Sequence, residues 1–250
     1  MRVVIGSARI DENGNIAGGK AGDQTGKEVS TQNFYVHKKG WLILRPKVPQ
    51  VALSIAKAML EACNNNNIGY DQTNRNGIIK CLRKYGSIGS ISEKTEADCS
   101  STVRACCMQT GFDPGNFNTA SEAKSLFATG QFHEPMEYSS KTKLYTGDIL
   151  VTKTKGHTVV VVEGYSRLKT TNSVKENIYP EPKRIIKRGC TGDDVKWIQY
   201  ELVESGAVLS IDGEVGPITE NAIKAFQKLC KLEIDGEAGP ITIKALKNSK

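Results

Sequence analysis

An α+β domain, with helices packed on an antiparallel sheet, followed by a small three-helix domain is the architecture that this 250-residue sequence predicts. Three observations lead there. GDILVTK (147–153) and HTVVVVEGY (157–165) are strand-like runs joined through a TKTKG turn. Between residues 49 and 130, apolar side chains recur at helical spacing in segments that stop at glycine. Near the C-terminus, IDGEVGPIT (211–219) and IDGEAGPIT (234–242) match at eight of nine positions, 23 residues apart. Two copies are too few for a solenoid, so they indicate one small pseudo-symmetric domain.

The elements follow in chain order. FYVHKKGWLILRP (34–46) reads as a hairpin turning at Lys39-Gly40. PQVALSIAKAMLEAC (49–63) opens on proline and carries Val51, Ile55, Met59 and Ala62 on one face, a helix. DQTNRNGIIKCLRKYG (71–86) places Ile78, Leu82 and Tyr85 together and stops at Gly86, and DCSSTVRACCMQTG (98–111) likewise stops at Gly111. Thr119 and Glu122 form a capping pair for a short helix ending near Gly130. The polar, proline-bearing run 166–186 reads as a linker. Thr191 and Asp194 then make a capping-box pattern ahead of Val195, Ile198 and Leu202. In each repeat, Asp-Gly supplies a tight turn and proline opens a helix, after which Ile218, Ala222, Ile223, Phe226 and Leu229 trace an apolar stripe. The predicted boundaries are a domain at 1–165 with an N-terminal extension at 1–47, the linker at 166–186, and the three-helix domain at 187–250.

Composition excludes several classes. Hydrophobic residues make up 38% and charged residues 24%, a folded, water-soluble balance. No apolar run approaches the ~20 residues that span a bilayer, so membrane insertion is not expected. The start, MRVVIGSARIDENGN, lacks the ~7–15-residue apolar core of a secretory signal, which predicts release by some other route. Seven cysteines (63, 81, 99, 106, 107, 190, 230) show no CxxC pair and read as a reduced chain. Three histidines (37, 133, 157) in no paired-ligand spacing argue against a metal, and neither DGE turn has the oxygen ligands of a calcium loop. No cofactor is implied. Of the +7 net charge, residues 1–182 hold 23 Lys and Arg against 17 Asp and Glu, and residues 183–250 hold 11 against 10. The basic half suits an anionic partner or is a solvated face, and no motif points to nucleic acid.

One stretch carries chemistry. In EADCSSTVRACC (96–107), Asp98 is a good N-cap, which puts Cys99 at the first helical position. Free amides and the positive end of a helix favour an anionic sulfur there and point where an oxyanion would form. Ser100 and Ser101 are small enough to leave room for substrate. The thiol needs a base, and His157, at the start of the valine-rich strand, is placed to reach a cleft; His133 lies in a loop and His37 beside a turn.

DCSS at a helix start, Gly147-Asp148 opening a strand and His157 starting the next resemble the NlpC-like and CHAP-like cysteine amidases and peptidases of peptidoglycan. The likeness covers about residues 68–165. The repeated D-G-x-x-G-x-x-T turn resembles the three-helix peptidoglycan-binding domain. Together they resemble a phage or prophage endolysin, a chain made in the host cytoplasm and released through a holin pore or by lysis. The resemblance implies a papain-like catalytic domain with Cys99 as nucleophile and His157 as general base. The substrate would be an amide of bacterial peptidoglycan, with anionic wall polymers as further partners. Tyr70 falls where the superfamily often has a tyrosine lining the site; a core aromatic is the competing reading. The histidine-orienting member usually comes from the strand after the His strand, and here that stretch is linker. Glu163 shares the strand face of His157 but lies ~20 Å along it. The glycine-rich GGKAGDQTGKEV (18–29) is expected to fill the missing strand's place with the hairpin after it, bringing Asp23 or Gln24 nearest. Two rivals stay open: a cysteine protease or acyltransferase acting on protein, and a non-catalytic wall binder.

Overall fold

A computed structural model describes residues 2–167, 177–205, 207, 209–230 and 232–248. The chain divides into two compact units, Met1–Lys169 and Thr170–Lys250.

The first unit is a mixed α/β fold. Its elements run β1 (Val4–Ala8), β2 (Val29–Asn33), β3 (Trp41–Leu44), α1 (Pro49–Cys63), β4 (Ile68–Tyr70), α2 (Gly77–Tyr85), β5 (Thr95–Ala97), α3 (Cys99–Gln109), α4 (Glu122–Ala128), β6 (Met136–Glu137), β7 (Ile149–Thr152) and β8 (Thr158–Glu163). Six strands form an antiparallel sheet in the order β2-β1-β8-β7-β3-β6, and β4 and β5 pair separately in parallel. Strand β8 lies inside the sheet and is covered on both faces, which its run of valines requires. Val160 and Val162 join the core that α1 and α3 share with the sheet, around Ile55, Met59, Val103 and Cys106. Val159 and Val161 face the other way, onto Ile5, Trp41 and Leu150.

Helix α1 starts on Pro49, and its buried face includes Val51, Ile55, Met59 and Ala62 as the periodicity predicts. Helix α2 ends at Gly86, left-handed at φ 79°, where a side chain would be strained. The residues at 34–46 do not make a hairpin. Asn33 ends a strand at one sheet edge and Trp41 begins a strand near the other, because β1, β8 and β7 come between them. The turn at Gly40 is nevertheless real, with φ 68°. A strand at the very N-terminus, β1, was not anticipated. It pairs with β8 through Ile5↔Val161 and Gly6↔Val160, and so takes the place beside the histidine strand.

The Gly147-Asp148 pair is structural. A Cβ on Gly147 would stand 2.1 Å from the Ala52 carbonyl oxygen, and its φ is 87°. Asp148 is wholly buried and accepts two bonds from Arg45 (2.9 and 2.8 Å) and one from the Tyr145 amide (2.8 Å). The pair seats α1 and the start of β7 rather than supplying chemistry.

In the second unit, α5 (Asp193–Glu204), α6 (Pro217–Leu229) and α7 (Pro240–Asn248) enclose Val195, Ile198, Leu202, Ile223, Phe226 and Leu246. Each DGE turn is plugged by a buried glutamine from the preceding helix. Gln199 Nε2 donates to Asp212, the Glu214 carbonyl and Thr219, and its Oε1 accepts from the Gly213 amide. Gln227 repeats all four contacts with Asp235, Glu237, Thr242 and Gly236. The expected Thr191–Asp194 capping box is absent: Gly192 is the N-cap, and Asp194 instead accepts from Arg184 at 2.7 Å. Of the expected linker, residues 168–176 lie outside the described residues. Its C-terminal part is packed, since Asn177 bonds Trp197 and Glu201, and Ile186 bridges to Ala238 with no exposure.

Candidate active site

Strand β5 runs directly into the N-cap of α3, and this junction positions the thiol. Asp98 accepts from the Ser101 amide at 2.7 Å while its own amide donates to Ser101 Oγ at 2.9 Å, a reciprocal capping box. Arg75 pairs with the free Asp98 oxygen at 2.7 Å. Cys99 is therefore the first helical residue, as the sequence predicts. Across the parallel pair, Tyr70 stands opposite Ala97, which brings its ring beside the same helix start.

The backbone amide of Thr158, the residue after His157, lies near enough to the Cys99 sulfur to favour its anionic form. Thus α3 and the start of β8 meet where Cys99 faces Thr158, one residue along the chain from His157. His157 Nε2 lies 3.3 Å from Ser7 Oγ on β1. Around them stand Tyr35, which feels the charges of Arg9 and Cys99, and His37, whose ring packs on Trp41 at 5.3 Å. Arg9 is locked to β2 by Gln32 at 2.7 Å and by Ser30. Tyr70 Oη accepts from Gln72 at 3.0 Å, and burial pushes its phenol up to about 12, so it stays protonated and able to donate.

The electrostatics run against the expected pre-ionised thiol. Cys99 is only 6% exposed, and burial, joined by the carboxylates of Asp98 and Glu122, pushes it up to about 12. The Thr158 amide and Ser100 act in the other direction and do not prevail. Burial likewise pulls His157 down to about 4, helped by the positive charge of His37 and Arg9. Lost hydration outweighs the helix end, and both groups rest neutral.

The other expected members are placed elsewhere. The Asp23 carboxylate is consumed by the amides of Thr25, Gly26, Glu28 and Val29, and the Gln24 side chain bonds the Ala21 and Gly22 carbonyls. Their glycine-rich loop packs tightly on β4 instead: a Cβ on Gly69 would meet the Gly22 oxygen at 2.5 Å, and Glu28 accepts the Tyr70 amide. Glu163 is exposed at the far end of β8, opposite Val4.

Sequence reasoning missed Ser7 and Glu122. The signal for Ser7 was the apolar run VVIGSA, which has strand character. Glu122 is wholly buried, 2.5 Å from Thr158 Oγ1 and 3.2 Å from Ser100 Oγ. The sequence pattern makes it a capping partner of Thr119, but the N-cap is Ser121, and Thr119 accepts from the Gly156 amide at 3.0 Å, pinning the turn before His157. Among the described residues, no three His, Cys, Asp or Glu side chains converge as a metal site. No helix among them is long and apolar enough to cross a membrane.

These features define a two-unit protein: an α/β domain with a buried cysteine and a half-buried histidine at one end of an antiparallel sheet, and a helical domain with a duplicated turn. Residues 5–167 match the family of the endolysin-like domain, and residues 191–246 match the putative peptidoglycan-binding domain. The chain belongs to the endolysin-like domain family and carries a peptidoglycan-binding domain, the composition of a protein that acts on the cell wall. Among solved structures, it is similar to the SleB N-terminal domain, at 35% identity over 28% of this chain and 97% of that one, with a TM-score of 0.27. A peptidoglycan-binding protein from Clostridioides difficile, in complex with glutamine hydroxamate, is 38% identical over 25% of this chain and 40% of its own, with a TM-score of 0.25. A fused Zn-dependent amidase/peptidase/peptidoglycan-binding domain-containing protein from Clostridium acetobutylicum ATCC 824 is 35% identical over 25% and 28%, also with a TM-score of 0.25. No curated protein matches.

Proposed function

We propose that this chain is a peptidoglycan hydrolase of the endolysin type, a papain-like cysteine enzyme that cleaves an amide of the wall. The bond is either the N-acetylmuramoyl-L-alanine amide or one within the stem peptide. The observation that carries the proposal is the place of Cys99, first residue of a capped helix, beside the backbone of Thr158, which follows His157.

The resting pair is neutral, so the nucleophile forms during the reaction rather than before it. With Nε2 of His157 engaged by Ser7, Nδ1 is the nitrogen left to take the thiol proton. Proton transfer creates a thiolate and an imidazolium together, each offsetting the cost of burying the other. The Thr158 amide stabilises the sulfur, which adds to the substrate carbonyl. Free amides at the start of α3, with the Tyr70 hydroxyl, face the oxyanion. His157 then protonates the leaving amine, and water, deprotonated by the same imidazole, hydrolyses the thioester.

The unit from about residue 187 onward holds the enzyme on its polymer, raising the local substrate concentration. The same reading makes 1–165 the catalytic domain, and makes the chain a phage or prophage product that reaches the wall once the membrane is breached.

The burial of Cys99 favours a second reading, a wall binder with an inert thiol. One experiment separates them. Cys99→Ser abolishes release of new amines from purified sacculi while pelleting with them as before. Retained release rules out the proposed nucleophile, and a wild-type protein that releases none leaves the binder. Residues 1–182 alone still cleave but sediment poorly with walls; equal pelleting would refute the anchoring role.

A further inference from the structure

The buried carboxyl of Glu122 has no part in the chemistry above, yet it touches the residue that follows each member of the pair. Its two oxygens lie 3.2 Å from Ser100 Oγ, next to Cys99, and 2.5 Å from Thr158 Oγ1, next to His157. Thr158 Oγ1 is also 3.1 Å from the Leu150 carbonyl oxygen on β7. A carbonyl can only accept, and one hydroxyl has one proton to give. With Glu122 as the neutral acid, every bond is made: Glu122 donates to Thr158, Thr158 to Leu150, and Ser100 to Glu122. With a carboxylate, Thr158 must abandon one acceptor, and a negative charge sits under the sulfur with no ion pair to Glu122 among the described residues.

We propose that Glu122 is a positioning residue which, as a neutral acid, clamps α3 to β8 across the thiol site, and whose ionisation disables the thiol. The inference rests on the thiol reading above. The groups facing Glu122 agree with it. Asp98 at the start of α3 opposes a second negative charge. The Arg75 guanidinium acts the other way but is bound to Asp98. Cys99 and Cys107 on α3 are both pushed up by a charged Glu122. Burial holds Glu122 at about 8, protonated at neutral pH and ionised above it.

The test uses the full-length protein, its Glu122→Gln variant, which preserves an acceptor and a donor, and Glu122→Ala, which preserves neither. Alkylation of Cys99 by iodoacetamide is followed from pH 6 to 9.5 by mass spectrometry of its peptide, without wall present. At pH 9, Glu122→Gln reacts about tenfold faster than wild type, the effect of roughly one pKa unit from a neighbouring like charge. In wall turnover, wild type declines above about pH 8, Glu122→Gln lacks that decline, and Glu122→Ala loses kcat at every pH with little change in KM. Superimposable alkylation profiles overturn the proposal. So does a Glu122→Gln variant that unfolds or falls as far as Glu122→Ala, since the amide keeps both clamping bonds. If no variant turns over wall, the functional reading fails, and the alkylation profiles still decide the role of Glu122.

Discussion

Ser7 Oγ lies 3.3 Å from Nε2 of His157, across 150 residues of sequence. The strand that opens the chain thus holds the imidazole borne at the start of the strand closing the sheet. Ser7 is itself buried at 1% exposure, while His157 is half-buried. Removing the hydroxyl takes away the partner of the ring nitrogen, a cost of about 1 kcal/mol. Ser7→Ala is expected to lower kcat at least tenfold on sacculi with little effect on KM. An undiminished kcat would remove Ser7 from the site.

His157 gives a pH signature. Because burial holds its folded pKa near 4, the ring stays neutral well below the usual imidazole range. Wall clearing should therefore persist at pH 5, where an exposed histidine would already be charged. Stability moves too. Between the unfolded value near 6.5 and the folded value near 4, the unfolded chain takes up a proton that the folded chain refuses. Acidification through that window weakens the fold by up to about 1.4 kcal/mol per pH unit. His157→Gln flattens this dependence, as denaturant midpoints at pH 4.5 and 6.5 will show.

Gln227 plugs the second DGE turn with four hydrogen bonds. Gln227→Leu has similar bulk but strands the buried Gly236 amide and takes a donor from Asp235, Thr242 and the Glu237 carbonyl. A loss of about 2–4 kcal/mol in the second unit is expected. Faster hydrogen exchange at the Gly236 amide and weaker pelleting with walls on warming are the readouts. Gln199→Leu should act alike, since its contacts are the same set. Unchanged exchange in both would make the plug incidental.

The helix boundaries were readable where the signal is local. Pro49 at the start of α1, Gly86 at the end of α2 and Asp98 at the head of α3 each act within one helical turn of themselves. Cys99 could accordingly be placed from twelve residues of sequence. The turns at 34–46 and around Thr191 misled because each had the right residues for a local motif and a distant partner that took precedence: three intervening strands in one case, Arg184 in the other. Asp23 and Gln24 failed for a related reason. The glycine-rich loop does approach another backbone closely, but at Gly69 of β4, not at the histidine.

From the sequence alone came helices on an antiparallel sheet, the duplicated turn of the helical unit, the β7–β8 pair and a cysteine capped at a helix start. All of these follow from steric and hydrogen-bonding rules acting over a few residues. Tertiary structure decided that β1 flanks β8, that Glu122 turns inward under the thiol, and that Cys99 and His157 rest uncharged. Strand order depends on which remote segment covers each open edge, and the charge of a buried group depends on how much water its neighbours exclude. Neither quantity exists until the chain has closed around the site.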